Sequence, residues 1–270
     1  ILNQAAPLAI VSIGQTFIIL LTGLDLSVGS VMSLTTVLCA TLMKNEPLPI
    51  FLTMLLTLLA GAGIGFLNGV LVSKIKLSPL IATLGMMALV QGVTLQIRPY
   101  PGGYVPRAFG DAITGTFLFI PVPAIIFIGV AVWGVIFLRK TALGGYIYAT
   151  GGGEENARLA GINIDFVKIF SYTVCGLVAA IAGLVLTGRI RSGDPLVGTS
   201  FPLDSITAVI VGGTPFTGGQ GGVEGTIAGA LIIAMLSNML NLLDVSSFYQ
   251  YIVKGLILIT AVVIYSLRAK

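Results

Sequence analysis

Two acidic side chains stand at interruptions of long apolar runs, next to hydroxyl groups and glycines. Asp25 and Ser27 lie in the segment Thr22-Gly-Leu-Asp-Leu-Ser-Val-Gly29, and Asp204 and Ser205 follow an irregular stretch. Side chains of these types either cap a helix by accepting hydrogen bonds from its first amide groups or contact a polar substrate in a membrane cavity. We interpret Asp25, Ser27, Asp204 and Ser205 as candidates for helix breaks along a membrane pathway.

For Asp25, the two roles lead to different expectations. We predict that it is the N-cap of the following helix, with Val28 at position N3, and keep direct contact with substrate hydroxyls as the alternative. The pairs Leu24-Asp25 and Leu203-Asp204 also occupy similar places in the two halves of the chain. Paired interruptions of this kind indicate two repeats, here inverted because the junctions face opposite sides.

The sequence gives little support for metal binding, catalysis or ATP hydrolysis. The chain has no His, which removes the commonest metal ligand and the usual near-neutral proton carrier. Cys39 and Cys175 lie in apolar stretches, as inert packing residues do. The run Gly212–Gly222 resembles a phosphate-binding loop but lacks its Lys-Ser/Thr ending. We therefore expect no metal site, no catalytic residue and no ATP hydrolysis by this chain alone.

The composition requires a membrane protein. Hydrophobic residues make up 56% of the chain, charged residues make up 9%, and the mean hydropathy is +1.05. Soluble domains carry about 25% charged residues, so this chain cannot cover a soluble surface. The net charge of +4 fits basic loops against anionic lipid headgroups and needs no nucleic-acid site.

Apolar runs of about 20 residues, the length of a helix that crosses the hydrocarbon layer, recur along the chain. A ninth run, 203–214, is too short for a full crossing unless it is broken or tilted. We predict an all-α polytopic membrane bundle of about nine spans, forming one domain over residues 1–270. The eight clear runs are 7–23, 27–43, 50–72, 79–97, 120–138, 167–188, 225–243 and 248–267. Close helix packing is predicted at glycines with four-residue spacing, which are Gly61, Gly65, Gly69, Gly225 and Gly229.

Basic residues set the orientation of the bundle. With the segment 139–166 in the cytoplasm, the inner Lys and Arg residues are Lys74, Lys76, Arg139, Lys140, Arg158, Lys168, Arg268 and Lys270. The outer ones, which are fewer, are Lys44, Arg98, Arg107, Arg189 and Arg191. Arg189, Arg191 and Asp194 are then either interfacial anchors or docking residues for an extracytoplasmic partner. Lys254 falls inside the last span, where we predict that it snorkels to the outer interface.

The most informative segment is the polar stretch between two spans, Tyr148–Ile162. Glycines at 151–153 end one element and Gly161 can end another, so residues 154–160 are predicted to form a short helix. This helix is too polar to lie in lipid. It is either a solvated loop helix or a knob that docks into a cytoplasmic partner and transmits movement to the spans.

The charges of the predicted helix favour its formation. Glu154 and Glu155 lie at its N-terminus, where acids complement the helix dipole. Glu154 and Arg158 stand in the favoured i, i+4 order for an ion pair. An apolar docking surface is predicted from Ala157, Leu159, Ala160 and Ile162.

Residues 151–162, Gly-Gly-x-Glu-x-x-x-Arg-Leu-x-Gly-Ile, resemble the coupling-loop motif of sugar ABC permeases of the ribose/xylose/arabinose family. Further segments agree with the family in the same order and extend the resemblance over essentially the whole chain. They are Gly23-Leu-Asp-Leu-Ser-Val-Gly-Ser30, Ile81-Ala-Thr-Leu-Gly-Met-Met87, Leu203–Thr214 with its Gly-rich tail, and Asn238–Gly255.

The resemblance implies a permease subunit of a bacterial ABC importer in the cytoplasmic (inner) membrane. Its implied partners are a second permease (as homo- or heterodimer), ATPase subunits that hold ATP and magnesium, and an extracytoplasmic binding protein that delivers a monosaccharide such as ribose. Within the coupling loop 150–163, the residues implied to couple to the ATPase are Glu154, Glu155, Ala157, Arg158, Leu159 and Gly161.

The chain departs from the family at Gly153, where Asn is usual, and at its start, where the usual first span is absent. We therefore expect an N-terminal span to be missing. The alternatives are a permease for branched-chain amino acids or nucleosides, or an ion-coupled secondary transporter. The last would need embedded acids or His along a relay.

Overall fold

A computed structural model describes residues 2–268, so Lys270, counted above among the inner basic residues, lies outside the described residues. The helices are α1 (Leu2–Leu20), α2 (Val28–Leu42), α3 (Pro47–Ser73), α4 (Pro79–Ile97), α5 (Arg107–Thr114), α6 (Val122–Lys140), α7 (Ala142–Gly152), α8 (Glu154–Leu159), α9 (Ile164–Ile190), α10 (Phe201–Val211), α11 (Val223–Leu242) and α12 (Ser247–Arg268). A hairpin of strands β1 (Thr116–Phe117) and β2 (Ile120–Pro121) joins α5 to α6.

Within the described residues, seven helices are long and apolar enough to cross a membrane, namely α1, α3, α4, α6, α9, α11 and α12. Two apolar helices are shorter, α2 with 15 residues and α10 with 11. The predicted all-α polytopic fold is confirmed. The run 27–43 is not the full crossing that we predicted. The chain is non-helical between Leu20 and Val28, so helix α2 is too short to cross the membrane by itself.

Helix α9 forms the centre of the bundle, and α1, α2 and α3 pack around it. Glycines allow the backbones of α3 and α9 to approach closely. Gly61 lies against Gly176, and Gly65 lies against the backbone of Tyr172. A Cβ atom at either α3 glycine would overlap backbone atoms of α9. The close packing predicted from glycine spacing is therefore confirmed.

The glycines of α11 have the same function against α10. Gly225 faces Gly212, and Gly229 faces the backbone of Ala208. Cys39 and Cys175 are both free and buried, as the sequence predicted for packing residues. The bundle is thus held by close backbone contacts, which replace the hydrophobic driving force that lipid cannot supply.

The two short helices enter the bundle from opposite faces. With α8 at the cytoplasmic face, α2 ends outside, where the Ala40 carbonyl accepts a hydrogen bond from Tyr104 N at 3.3 Å. Helix α10 ends inside, where Gly212 packs on the first turn of α11. Both helices begin within the bundle, so each is a half-crossing preceded by a non-helical segment, 21–27 or 191–200.

Candidate functional site

The predicted coupling helix is present as α8, Glu154–Leu159. It ends in a Schellman motif: Gly161 N donates to Arg158 O at 3.0 Å, and Ile162 N donates to Ala157 O at 3.0 Å. Gly161 has φ +81°, a left-handed conformation that glycine adopts without steric cost. This turn lets the chain reverse directly into α9.

The reversal changes the ion pairing from the one that we predicted. Glu154 forms a salt bridge with Lys168 of α9 and not with Arg158. The i, i+4 prediction is wrong because Lys168, in the second turn of α9, is folded back beside the start of α8. Among the described residues, Glu155 and Arg158 make no ion pair, and both are exposed. These two charges are therefore available to another protein.

The apolar surface predicted for α8 is divided between two directions. Ala157 is buried and Ile162 packs on the core, so both hold the helix to its own bundle. Leu159 is 83% exposed, and Ala160 is also exposed. Only Leu159 and Ala160 can therefore contribute apolar area to a docking surface.

Helix α7 connects α8 to the end of α1. Gly151 lies directly on the Leu20 carbonyl, where a Cβ atom would overlap it. The Gly-rich loop 212–222 completes the contact, since Gly219 N donates to Leu20 O at 2.9 Å. The loop thus lies beside the C-terminal turn of α7, which ends one residue before α8 begins.

A tyrosine fastens the same loop. Tyr148 of α7 donates from its hydroxyl to the Gly221 carbonyl at 2.9 Å. Burial raises the pKa of Tyr148 above its usual value, the Glu224 carboxylate raises it further, and Arg139 opposes this. The phenol therefore keeps its proton at neutral pH and remains a donor. Arg139 and Glu224 themselves form an ion pair of 2.6 Å between the end of α6 and the start of α11.

A cavity of about 480 Å³ lies between α8 and the end of α1. Its polar lining combines both signs of charge. Among its lining residues are Thr22, Lys76, Ser78, Glu154, Asp165, Arg158, Lys168 and Tyr172. The acids are already paired, Glu154 with Lys168 and Asp165 with Lys74, so Lys76 and Arg158 are the cations of the lining without an acidic partner in the described residues.

The first interruption, 21–27, is closed by Asp25. Its Oδ1 accepts hydrogen bonds from Ser27 N at 2.9 Å, from Ser27 Oγ at 2.6 Å and from Asn68 Nδ2 of α3 at 3.4 Å. The predicted N-cap role, with Val28 as N3, is wrong: Ser27 is the N-cap of α2, and Asp25 closes a turn before the helix. The irregular backbone is more than one residue long, which moves the first helical residue away from the carboxylate.

The second interruption, 191–200, leads into α10, whose first turn contains Asp204. Asp204 Oδ2 accepts a hydrogen bond from Lys254 Nζ of α12 at 2.8 Å, and both side chains are largely buried. The prediction that Lys254 snorkels outwards is therefore wrong, since an acid lies within reach in the bundle. Ser205 donates to Pro202 O at 3.0 Å, a bond within its own helix.

The beginnings of the two half-crossing helices meet. A Cβ atom on Gly29, in the first turn of α2, would overlap the Gly198 carbonyl and lie 2.8 Å from Pro202 Cδ in the first turn of α10. Gly198 N also donates to Ser33 Oγ of α2 at 2.9 Å. The structure thus brings together the two interruptions that the sequence had paired only by resemblance of their local residues.

On the outer face, two of the three proposed docking residues have partners in this chain. Arg191, which ends α9 with φ +52°, pairs with Asp111 of α5 at 2.6 Å. Asp194 Oδ1 accepts from Leu196 N at 2.9 Å, and its backbone amide donates to Thr36 Oγ1 at 3.1 Å. Arg189 is exposed and forms no ion pair among the described residues.

The whole chain is similar to known permeases. Residues 1–262 match the family described as branched-chain amino acid transport system / permease component. The chain belongs to this family. It is a polytopic permease component of the bacterial inner membrane, and no solved structure matches it.

Individual relatives agree with the family. A ribose import permease protein of Haemophilus influenzae is 46% identical over 97% of this chain and 82% of its own length. Those of Escherichia coli K12 and Bacillus subtilis 168 are each 42% identical over 98% of this chain, and the match covers 84% and 83% of their lengths. The resemblance to ribose-type permeases, based on motifs, is confirmed.

Sequence reasoning missed two residues of this permease that hold the first interruption, and it missed the helix that precedes α8. Asn68 is a fully buried amide inside α3, and its position within a long apolar run was a usable signal. Tyr172 of α9 donates from its hydroxyl to the Leu24 carbonyl at 3.3 Å, which no local pattern indicated. Helix α7 was missed because its short apolar stretch resembles a loop, although its glycines mark its end.

Proposed function

We propose that this permease is the membrane-spanning subunit of an ATP-binding-cassette importer for a monosaccharide of the ribose type. It works beside a second permease, as homo- or heterodimer. An extracytoplasmic binding protein delivers the sugar, and partner ATPase subunits, which hold ATP and magnesium, supply the energy. The observation that carries this proposal is α8, an exposed helix of six residues that connects through α7 to a break in the membrane bundle.

The proposed ATPase contact is the outward face of α8. Leu159 presents an exposed apolar side chain, and Glu155 and Arg158 present charges that have no partner within the described residues. The other coupling residues serve to hold this face in place: Ala157 is buried, Glu154 is paired with Lys168, and Gly161 makes the Schellman turn. The loop 150–163 thus functions as one rigid element.

The proposed transmission runs along the backbone from α8 to the interruption at Asp25. Movement of α8 acts on Gly153 and then on Gly151, which lies on the Leu20 carbonyl. Leu20 is the last residue of α1, and the irregular segment 21–27 begins there. Since interfaces that pack backbone on backbone move as units, a shift of α8 displaces the start of the break.

The proposed pathway passes the meeting point of α2 and α10. Half-crossing helices whose beginnings meet inside a membrane protein direct backbone donors and side-chain oxygens at that depth, as in other transporters built from repeats. Ser27 and Asp25 on one side and Asp204 and Ser205 on the other lie next to this point. Alternating access then consists of movements of the two halves about these breaks. On the outer face, the proposed contact with the binding protein is Arg189, which is exposed and forms no ion pair among the described residues.

The substrate class rests on the relatives, which are named as ribose import permeases at 42–46% identity. The family description names branched-chain amino acids, and this remains the second candidate. Uptake assays with both substrates would distinguish them: vesicles that contain the permease, its ATPase and its binding protein should import ribose and not leucine. Uptake driven by a sodium or proton gradient without ATP would contradict the ABC mechanism.

The coupling role is tested by Arg158→Glu, which reverses an exposed, unpaired charge on the α8 face. We expect loss of the co-purified ATPase, or loss of ATP-driven uptake, with the permease still inserted in the membrane. Lys140→Glu is the matched control, because Lys140 is also a cytoplasmic, exposed base without an ion pair in the described part, but it lies outside α8. Normal ATPase binding and normal uptake in Arg158→Glu would refute the proposed contact.

A further inference from the structure

Asp25 is a carboxyl group enclosed in the interior of the bundle, with no counter-ion among the described residues. Its side chain is 0% exposed. No Lys or Arg of the described chain lies within salt-bridge distance of it. The groups that hydrogen-bond to it, the amide and hydroxyl of Ser27 and the amide of Asn68, are neutral, and so is the Cys175 thiol beside it. An ionised carboxylate in a nonpolar medium costs so much free energy that the group takes up a proton instead.

The hydrogen bonds of Asp25 are also unequally divided between its two oxygens. Oδ1 accepts all three, while Oδ2 is buried without a partner. On the contacting side chain, Asn68 Oδ1 is likewise buried without a partner, although Nδ2 donates to both Asp25 Oδ1 and Ser27 Oγ. Both atoms are acceptors, and no donor among the described residues reaches either of them. A single proton on Asp25 Oδ2 supplies the donor that this contact lacks.

The surrounding titratable groups cannot balance a negative charge. On α9, the Tyr172 phenol donates to the Leu24 carbonyl at 3.3 Å and the Cys175 thiol points to Gln15 Oε1 of α1 at 3.7 Å. Both groups are uncharged as donors. From α3, the facing side chain is the Asn68 amide. Every element packed around Asp25 therefore presents neutral polar groups.

The other buried acid has the opposite environment. Asp204 lies 2.8 Å from the ammonium group of Lys254, a direct counter-ion. A carboxylate paired in this way is stabilised in its ionised form. The two aspartates at the helix breaks thus differ in the presence of a nearby cation, which opposes the effect of burial on protonation.

We propose that Asp25 is a proton-binding site: it is held as the neutral carboxylic acid, with its proton on Oδ2 donated to the Asn68 side chain. The acid and the amide then form a reciprocal pair that fastens the interruption 21–27 to α3. Asp25 is a positioning residue in this arrangement. The inference does not depend on the identity of the transported substrate.

Infrared spectroscopy of the purified full-length permease in lipid tests this directly. The C=O stretching band of a protonated carboxylic acid is separate from the bands of ionised carboxylates. We expect the wild-type minus Asp25→Asn difference spectrum at neutral pH to contain one such acid band per chain. Asp204→Asn is the matched control, and its difference spectrum should contain only carboxylate bands.

A wild-type minus Asp25→Asn spectrum that contains carboxylate bands and no acid band would overturn the proposal. Because Asn is isosteric with a neutral acid and retains a donor, we expect the variant to fold and to keep wild-type thermal stability within a few degrees. If it does not fold, Asn68→Leu gives the second test. Removing the acceptor of the acid proton should shift the acid band, whereas an unchanged spectrum would again contradict the proposed pair.

Discussion

The two interruptions of the bundle have the same local design but different tertiary chemistry. Each is a non-helical segment that leads into a short helix, and the two helices meet at Gly29 and Pro202. At the first, Asp25 accepts hydrogen bonds from neutral groups of α3 and of its own turn. At the second, Asp204 is held by the Lys254 ammonium group of α12.

This difference shows two ways in which a membrane protein can keep an acid at a helix break. An ion pair keeps the charge but ties the break to one helix, since removing either partner leaves a buried charge without compensation. In a neutral polar cluster, each hydrogen bond contributes a small free energy of its own, so the loss of one bond destabilises the protein less than the loss of one partner of a buried ion pair. The first break, which receives the end of α1 and lies near α8, is thus built from smaller and more numerous contacts.

The largest effect on this comparison should come from Lys254→Met. It leaves Asp204 buried without its cation, and breaking a buried pair on one side costs about 3–5 kcal/mol. We expect a marked fall in the thermal unfolding temperature of the detergent-solubilised permease. The double variant Lys254→Met/Asp204→Leu removes both charges and should recover most of the loss. A single variant as stable as the wild type would show that the ion pair does not hold the second break.

The contact between the two breaks is tested by Gly29→Ala. The added methyl group would overlap the Gly198 carbonyl, and overpacking of this kind costs about 1–3 kcal/mol. We expect lower thermal stability together with reduced uptake, because the starts of α2 and α10 are forced apart. Gly129→Ala in α6 is the control, since its Cβ atom meets no atom within 4 Å. Equal stability and uptake of the two variants would mean that the breaks do not form one unit.

A smaller loss of stability is expected when the serines of the two breaks are replaced, and the two serines can be compared directly. Ser27 Oγ donates to Asp25 within the same turn and accepts from Asn68 Nδ2 of α3 at 2.9 Å, so Ser27→Ala removes one bond inside the break and one that joins the break to α3. Ser205 Oγ bonds only within its own helix. We expect Ser27→Ala to lower the unfolding free energy by about 1–2 kcal/mol, against less than about 1 kcal/mol for Ser205→Ala. The reverse order would contradict the neutral cluster described for the first break.

A smaller effect than that of Ser27→Ala is expected from Tyr148→Phe, which removes the hydrogen bond between α7 and the loop that joins α10 to α11. Loss of its hydrogen bond to Gly221 should cost about 1 kcal/mol. Since the pKa of Tyr148 is raised, the stability from its protonated form is complete below the usual value of about 10 and is lost only as pH rises through the raised pKa. The difference in unfolding temperature between wild type and variant should therefore be constant across neutral pH. If the difference in unfolding temperature changed across neutral pH, the hydrogen bond of the Tyr148 phenol could not be its source.

Much of this architecture follows from local sequence. The membrane class, most of the spans and the short helix α8 were predicted because composition, run length and glycine positions act within a few residues of the chain. The glycine contacts of α3 with α9 were also predictable, since Gly61, Gly65 and Gly69 lie on one face of a helix. The helix start after Asp25 was not, because irregular backbone of variable length separates the acid from α2.

Composition, run length and local residue patterns indicate that this chain crosses a membrane many times, that its crossings are interrupted near Asp25 and Asp204, and that a charged helix lies between two spans. The partner of each buried or paired polar group, in contrast, depends on how the helices pack. Glu154 pairs with Lys168, Asp25 contacts Asn68, and Lys254 pairs with Asp204, at separations of 14, 43 and 50 residues. The physical reason is that desolvation inside the bundle makes every buried polar group depend on whichever neighbour packing brings within about 3 Å, and packing joins residues that are distant in the chain.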